Sequence, residues 1–263
     1  MEFNEAILSY DSVDISYNGQ KVVKDVSFQL HKGEILGLVG ESGSGKSTLI
    51  KACMGILGDG GMVTRGDIHF GQKNLIDLPE KELRQIRGAD IGMIFQDAGA
   101  SLSPIRTVGD QIIESQMAHG KISREKAKEN AFSLFEKLNF REVDRVWNSY
   151  PFELSGGMNQ RVGIAIALLM NPPILLADEP TSALDVSVQR QVVEEMIRCR
   201  ELFGTSIIIV THDIGVVSAM ADTVLVLKNG EMMEYGKASE VLNNPQNDYT
   251  KLLLSAVPKL VRK

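Results

Sequence analysis

Between an apolar run, Glu34-Ile-Leu-Gly-Leu-Val-Gly40, and a helical pattern from Lys46 to about Leu57 lies Gly40-Glu-Ser-Gly-Ser-Gly-Lys46-Ser47-Thr48, a match to G-x-x-x-x-G-K-[ST]. A buried strand, a tight glycine loop and a helix in that order constrain the fold more than any other stretch. They specify a βα unit of an α/β domain whose helix starts at an anion. Lacking a Cβ, the glycines allow the dihedrals that turn successive N–H groups inward. Gly40, Ser42, Gly43, Ser44, Gly45, Lys46, Ser47 and Thr48 are therefore the expected phosphate cradle. In this reading Lys46 reaches the β- and γ-phosphates as a point charge, and the Ser47 hydroxyl ligates Mg²⁺. The competing reading is a glycine-rich connector, against which the flanking strand and helix weigh.

A nucleotide site that hydrolyses also needs a carboxylate for the metal and a group that positions water. The apolar strand Ile174–Asp178 ends in Asp178-Glu179, at the carboxyl end where open α/β sheets bind ligands. Asp178 is expected in the Mg²⁺ shell, and Glu179 is expected to take the proton of the attacking water. The bland alternative is a strand that ends in solvated acids. His212 ends the strand Ser206–Thr211, so its imidazole is expected at the same edge, near the γ-phosphate. Gln96 ends the strand Ile91–Gln96, and its side-chain carbonyl is expected to complete the Mg²⁺ or water shell. His31, His69 and His119 show no clustered acid or cysteine and read as surface or packing residues.

Around these motifs the chain alternates strands and helices. Residues 6–30 read as a hairpin turning at Asn18-Gly19, and Thr223–Leu227 with Glu231–Tyr235 as a second one at Asn229-Gly230. Asp67–Phe70 reads as a strand and about Pro79–Arg87 as a polar helix. Residues 97–153 change character: Thr107–Met117 and Ser123–Leu138 carry helical spacing and no strong strand run appears. Helices are then expected at Ser155–Met170 and Ser187–Phe203, the second with an apolar stripe of Val188, Val192, Met196, Cys199 and Phe203. Two short helical stretches close the chain.

Composition narrows the function classes. With 263 residues, 43% of them hydrophobic and 24% charged, the chain can bury a full core. A net charge of −6 argues against a surface made to hold nucleic acid. Cys53 and Cys199 are too few and too separated for a disulfide scaffold or a closed thiolate metal site. The acidic N-terminus does not read as a signal peptide, and the apolar stretch Val162–Met170 is far shorter than the roughly 20 residues a membrane helix needs.

Leu154-Ser155-Gly156-Gly157-Met158-Asn159-Gln160-Arg161 resembles the signature motif of ABC ATPases, a segment distinct from the glycine loop. Together with Tyr17, Gln96, Ser182-Ala-Leu-Asp185 and His212, the resemblance covers nearly the whole chain. It implies an α/β fold, a P-loop ABC ATPase with a mostly parallel core sheet, an N-terminal antiparallel β subdomain and an α-helical subdomain. Residues 1–263 then form one nucleotide-binding domain, with the helical subdomain at about 97–153 and a C-terminal tail at about 236–263. ATP and Mg²⁺ are the implied ligands. Ser155, Gly156 and Gly157 at a helix start would present a hydroxyl and N–H groups to the γ-phosphate held by an opposite ATPase domain. Tyr17 would stack on adenine, with Tyr10 the weaker competitor, and Asp185 would couple the two composite sites.

Met158, the segment Phe95–Pro104 and the tail Asp248–Pro258 look like the dipeptide, oligopeptide and nickel importers, with Ser103-Pro104 where Asn-Pro is usual and Asn247-Asp248-Tyr249 where His-Pro-Tyr is usual. That resemblance implies a second ABC ATPase domain, more readily a related chain than another copy, and two membrane permeases. An extracytoplasmic substrate-binding protein would act indirectly, no nucleic acid is expected, and the chain would sit peripherally on the cytoplasmic face of the cell membrane. With no cysteine after Cys199, the iron-sulfur tail of some longer relatives is not expected. The alternative is a soluble ABC ATPase of an enzyme-assembly complex such as the carbon-phosphorus lyase type.

Overall fold

The computed structural model describes residues 5–182 and 184–256; the outer ends of the N-terminal segment and of the tail, and Ala183, lie outside the described residues. In chain order the elements begin with β1 (Ala6–Tyr17), β2 (Gln20–His31), β3 (Ile35–Val39), α1 (Lys46–Cys53), β4 (Gly61–Phe70), β5 (Lys73–Asn74) and α2 (Glu80–Ile86). They continue with β6 (Ile91–Ile94), α3 (Ala98–Ser101), α4 (Val108–His119), α5 (Arg124–Lys137), α6 (Val143–Asn148), α7 (Gly156–Leu168), β7 (Ile174–Asp178) and α8 (Val186–Phe203). Last come β8 (Ser206–Val210), α9 (Ile214–Met220), β9 (Thr223–Lys228), β10 (Glu231–Lys237), α10 (Ala238–Asn243) and α11 (Asp248–Ser255). The chain divides into two compact units, one formed by residues up to Leu83 with those from Ser206 onward, the other by Arg84–Thr205.

In the first unit an antiparallel sheet of order β2-β1-β4-β5 accompanies a mostly parallel set of strands, in which β3 runs parallel to both β8 and β9 while β10 folds back against β9. Every residue of β3 and β8 is buried, the pattern of central parallel strands covered on both faces. Both Asn-Gly pairs turn as their chemistry demands: Asn18 and Gly19 have φ of 49° and 83°, Asn229 and Gly230 of 49° and 82°. Positive φ at both central residues matches the twist of the flanking strands. Two further left-handed residues, Ser12 and Asp25, each at φ 51°, lie near register shifts of the β1–β2 ladder. Between them Asp14 is buried, its carboxylate accepting from Lys21 Nζ at 2.6 Å and from the Asp25 N–H at 2.8 Å.

The second unit pairs β6 with β7 in parallel and carries the helices α3 to α8. Each long helix starts where a short polar side chain caps it. Thr107 accepts from the Asp110 N–H, Ser123 from Lys126 and Ser155 from Met158. Close packing rests on glycine at two places: a Cβ on Gly109 would lie 2.4 Å from the Trp147 ring, and one on Gly163 2.9 Å from the Ala98 Cβ. The α8 stripe is buried at Val192, Met196 and Cys199, with Val193 and Glu195 beside them, while Val188 and Phe203 at its ends are half-buried.

Three expectations need correction. Strand β6 stops at Ile94, so Gln96 lies in a bend two residues beyond it rather than at its last position. His31 and His69 do have acid partners: His31 Nδ1 is 2.8 Å from the buried Glu34 carboxylate and His69 Nδ1 is 3.4 Å from Asp11. The first pairing is local, closed by a three-residue turn from His31 to Glu34, whereas the second is made across the β1–β4 ladder and leaves no mark along the sequence. The short helices α3, α6 and α9 have too few turns to show a period. Among the described residues, no helix is long and apolar enough to cross a membrane.

Candidate functional site

In the first unit the glycine loop joins buried β3 to α1. Gly40 has φ 151°, and a Cβ there would lie 2.1 Å from the Leu227 carbonyl oxygen; Gly45, at φ 101°, caps α1. Only glycine satisfies both the backbone angle and the space at these two positions. Gly230 N–H donates to Ser44 O at 3.0 Å, so the turn of the second hairpin braces the loop from outside. Lys46, 4% exposed, is folded back onto the loop and donates to Gly40 O at 2.9 Å and Glu41 O at 2.7 Å.

This loop fits a triphosphate. Among the described residues α1 has no side-chain cap at its N-terminus and no acid in its first turn, so its N–H groups and dipole are left to an outside anion. The Ser44 hydroxyl is buried and has no hydrogen-bond partner among the described residues, a polar atom that a phosphate oxygen satisfies. Ser47 and Thr48 follow, half-buried, in the first turn of α1. Glu41 stands outside the expected cradle, yet its carbonyl holds Lys46. A backbone acceptor leaves no side-chain signal in sequence.

Tyr17, at the end of β1, is half-buried and donates from its hydroxyl to Leu57 O at 2.9 Å, which fixes the ring. Tyr10 is fully buried, stacked on Phe28 at 4.4 Å, and has no face for a ligand. His212 is exposed, two residues past the end of β8.

In the second unit the fully buried β7 ends in Asp178, 4% exposed, and Glu179 follows half-buried. Glu179 has φ 46°, a left-handed backbone that costs a non-glycine residue of order 1 kcal/mol or more, and Pro180 follows it. The bend is held by Ser182, whose N–H and Oγ both reach Glu179 O, at 3.2 and 3.1 Å. The structure brings Gln96 and Glu179 together, with the amide Nε2 3.5 Å from Oε2. Because the amide donates, its carbonyl end is left for another partner.

The Ser155-Gly156-Gly157 segment opens α7 with Ser155 and Gly156 exposed. Gly157 has a packing reason of its own, since a Cβ there would lie 2.6 Å from Val188 Cγ1 on α8. Asp185 caps α8: its Oδ1 accepts from the Ser187 hydroxyl at 2.6 Å and from the Ser187 and Val188 N–H groups at 3.0 Å, which holds its carboxyl below the usual range. Arg161 fixes α7 from below. It pairs with Glu195 on α8, donates to Leu138 O at 2.8 Å and lies 4.3 Å over the Phe140 ring.

The family described as ABC transporter matches residues 23–182, more than half of the chain. The chain belongs to that family. The ABC ATPase is 46% identical over 93% of its length to the oligopeptide transport ATP-binding protein OppD of Bacillus subtilis, covering 69% of that protein. It is 43% identical over 97% of its length to the dipeptide transport ATP-binding protein DppD of the same organism, covering 78% of it. Among solved structures, a dimeric ATP-binding cassette in a post-hydrolysis state bound to ADP and Pi is similar with a TM-score of 0.75 and 31% identity, over 88% of this chain and 98% of that one. The α/β architecture with its mostly parallel strands and separate antiparallel sheet is that of an ABC cassette. As a member, the chain is an ATPase that uses ATP with Mg²⁺, works with membrane permeases and acts as one half of an ATPase pair.

Proposed function

We propose that this ABC ATPase is the ATP-hydrolysing subunit of a peptide importer, held peripherally on the cytoplasmic face of the cell membrane by two permeases and paired with a related ATPase chain. A substrate-binding protein outside the membrane completes the system without touching this chain. The single observation that carries the peptide assignment is the likeness, along nearly the whole chain, to subunits named for oligopeptide and dipeptide transport. The same likeness disfavours a soluble enzyme-assembly role and favours peptides over a nickel or other metal chelate.

The residues divide the chemistry as follows. Lys46, released from the Gly40 and Glu41 carbonyls, meets the β- and γ-phosphates, while Ser42, Gly43, Ser44, Gly45 and Thr48 line the cradle. Ser47, Asp178 and Gln96 would hold Mg²⁺, whose charge offsets that building up on the phosphate oxygens. Glu179 takes the proton of the attacking water, and Gln96, donating to it, orients that carboxylate and leaves its own carbonyl for the metal or water. His212 contacts the γ-phosphate and Tyr17 carries the adenine. Ser155, Gly156 and Gly157 present the exposed start of α7 to the nucleotide held by the partner ATPase, with Asp185 at the same interface.

Residues 1–263 act as one nucleotide-binding domain whose helical part, about 97–153, receives the permease. Supporting this, Ile105 is 84% and Phe152 73% exposed, and a groove in the same part is lined by Arg106, Asp110, Ile113, Glu114, Met117 and Arg124. Exposed apolar side chains rimmed by charge mark a protein-binding face. The test is affinity capture of the tagged full chain from detergent-solubilised native membranes, with partners identified by mass. Polytopic membrane proteins and a second ATPase are the expected partners. A purely soluble set would overturn the importer reading and leave the ATPase chemistry standing.

A further inference from the structure

One peptide unit of the glycine loop is held at both ends. The carbonyl of the Gly40–Glu41 peptide accepts from Lys46 Nζ at 2.9 Å, and its N–H donates to the Tyr249 hydroxyl at 3.3 Å. Tyr249 lies 208 positions away in sequence, on α11 of the C-terminal tail. We propose that Tyr249 is a positioning residue for ATP binding: its phenol fixes the plane of the Gly40–Glu41 peptide and so the carbonyl on which Lys46 is parked. The proposal rests on the phosphate-loop reading of Lys46 given above and deepens it by assigning the tail a part in the same site.

The phenol is itself held by independent contacts. Its ring is 7% exposed and packs in an apolar cluster with Val39, the residue just before the loop, and with Val226 and Val241. The Lys228 ammonium lies 4.5 Å over the ring face, an attraction between a cation and the ring quadrupole. At the start of α11 the Asn247 side chain accepts from the Tyr249 N–H at 2.8 Å and donates to Met233 O on β10 at 3.1 Å. The Glu234 carboxylate takes the Gln246 and Asn247 N–H groups at 2.8 and 3.2 Å. The helix is thus clamped to β10, and β9, β10 and α11 present the phenol to the loop as one assembly. Burial raises the phenol's pKa; the Glu41 N–H it accepts lowers it in part, the Glu41 carboxylate raises it again, and the net rise keeps the group a neutral hydroxyl able to accept the N–H.

A buried ammonium that must leave two carbonyls for a phosphate is sensitive to how firmly those carbonyls are set. A hydrogen bond at the N–H end prevents rotation of the peptide and so keeps the loop preorganised for a phosphate. Loss of the hydroxyl alone therefore acts on nucleotide affinity without touching the groups that do chemistry.

The experiment compares parent, Tyr249→Phe and Lys46→Ala as full chains, reading Kd for a fluorescent ATP analogue with Mg²⁺, KM and kcat for ATP hydrolysis, and Tm. Tyr249→Phe keeps the ring, its burial and the Lys228 contact. It is expected to raise Kd and KM about 3- to 10-fold, within the range of one neutral hydrogen bond, with kcat unchanged and Tm lowered by no more than the loss of that one bond. Parent-like Kd and KM in Tyr249→Phe, whether or not Tm falls, overturn the proposal and leave Tyr249 as a packing residue. Lys46→Ala separates the two readings. Loss of binding in it beside a parent-like Tyr249→Phe condemns the positioning role alone, whereas undiminished binding in Lys46→Ala removes the phosphate-loop reading and the proposal with it.

Discussion

Glu179 is a carboxylate placed by a strained backbone, at φ 46°. A left-handed residue directly before a proline persists only where the surroundings over-determine it, and here the Ser182 clasp and the Gln96 amide do so. If the geometry exists to aim a base, Glu179→Gln keeps shape and size but cannot take a proton. Steady-state hydrolysis should then fall at least about 100-fold while the Kd for ATP stays within about twofold; undiminished turnover would remove the base assignment. Asp14 makes the opposite kind of residue-scale statement, about stability. The Lys21 ammonium first, then the Asp25 N–H, hold its carboxyl below the usual range. A carboxyl lowered by folding contributes stability that is complete above its unfolded value, near ~3.9, and is lost as the pH falls through the folded value. Asp14→Asn should therefore unfold at lower urea than the parent at pH 7, with the gap closing as the pH drops below the carboxylate range. An equal gap at both ends would mean that the amide damages packing rather than removing a charge interaction.

Among the elements, α7 shows how a signature segment is kept in place. Its Arg161 and the Glu195 of α8 are both 8% exposed, and burial raises the Glu195 carboxyl even against the Arg161 charge. Removing the arginine leaves a buried acid uncompensated. Arg161→Ala should cost about 3–5 kcal/mol in urea unfolding, and a double variant Arg161→Met with Glu195→Leu should recover most of it. Failure of the double variant to recover would locate the loss in the Leu138 and Phe140 contacts instead. None of this pairing was legible in sequence, because 34 positions separate the partners and nothing local links them. What was legible shares a local cause. The two Asn-Gly turns, the glycine loop and the helix starts at Thr107, Ser123 and Ser155 are each specified within a short stretch of chain, nine residues for the loop and fewer for the rest; that Thr107 and Ser123 cap their helices is seen only in the structure. Helices α3 and α6 escaped because four and six residues display no apolar period. In sequence Gln96 reads as a strand end because its neighbour Phe95 is apolar, whereas the structure leaves Phe95 43% exposed. The glycine loop, Asp178 and Glu179 follow from motif chemistry, and Tyr17, Asp185 and the Ser155–Gly157 segment from the family resemblance, but the left-handed turn at Glu179 and the reach of Tyr249 to the loop are tertiary facts.

Across the whole molecule the two cysteines act as reporters, one in each compact unit. Cys53 ends α1, the helix that starts at the glycine loop, and Cys199 lies on α8; both are buried, and burial pushes each thiol up to about 12. A thiol that is neither accessible nor ionised does not react with an aromatic disulfide at pH 8 until its surroundings open. Labelling rates in dilute urea therefore measure opening of each unit separately, resolved by peptide mass. A ligand that binds only the closed form suppresses opening by the factor 1 + [L]/Kd, about 100-fold at 100 times Kd. A non-hydrolysable ATP analogue with Mg²⁺ binds through the loop that α1 begins, so Cys53 labelling should slow by about that factor. Cys199, whose unit carries the signature and the carboxylates but not the loop, should slow less in the isolated chain, and only to the extent that the two units open together. Equal slowing at both thiols would show a single cooperative molecule. A Cys53 rate indifferent to the nucleotide, with Cys199 protected instead, would place the binding energy in the wrong unit for a phosphate loop at Gly40–Thr48.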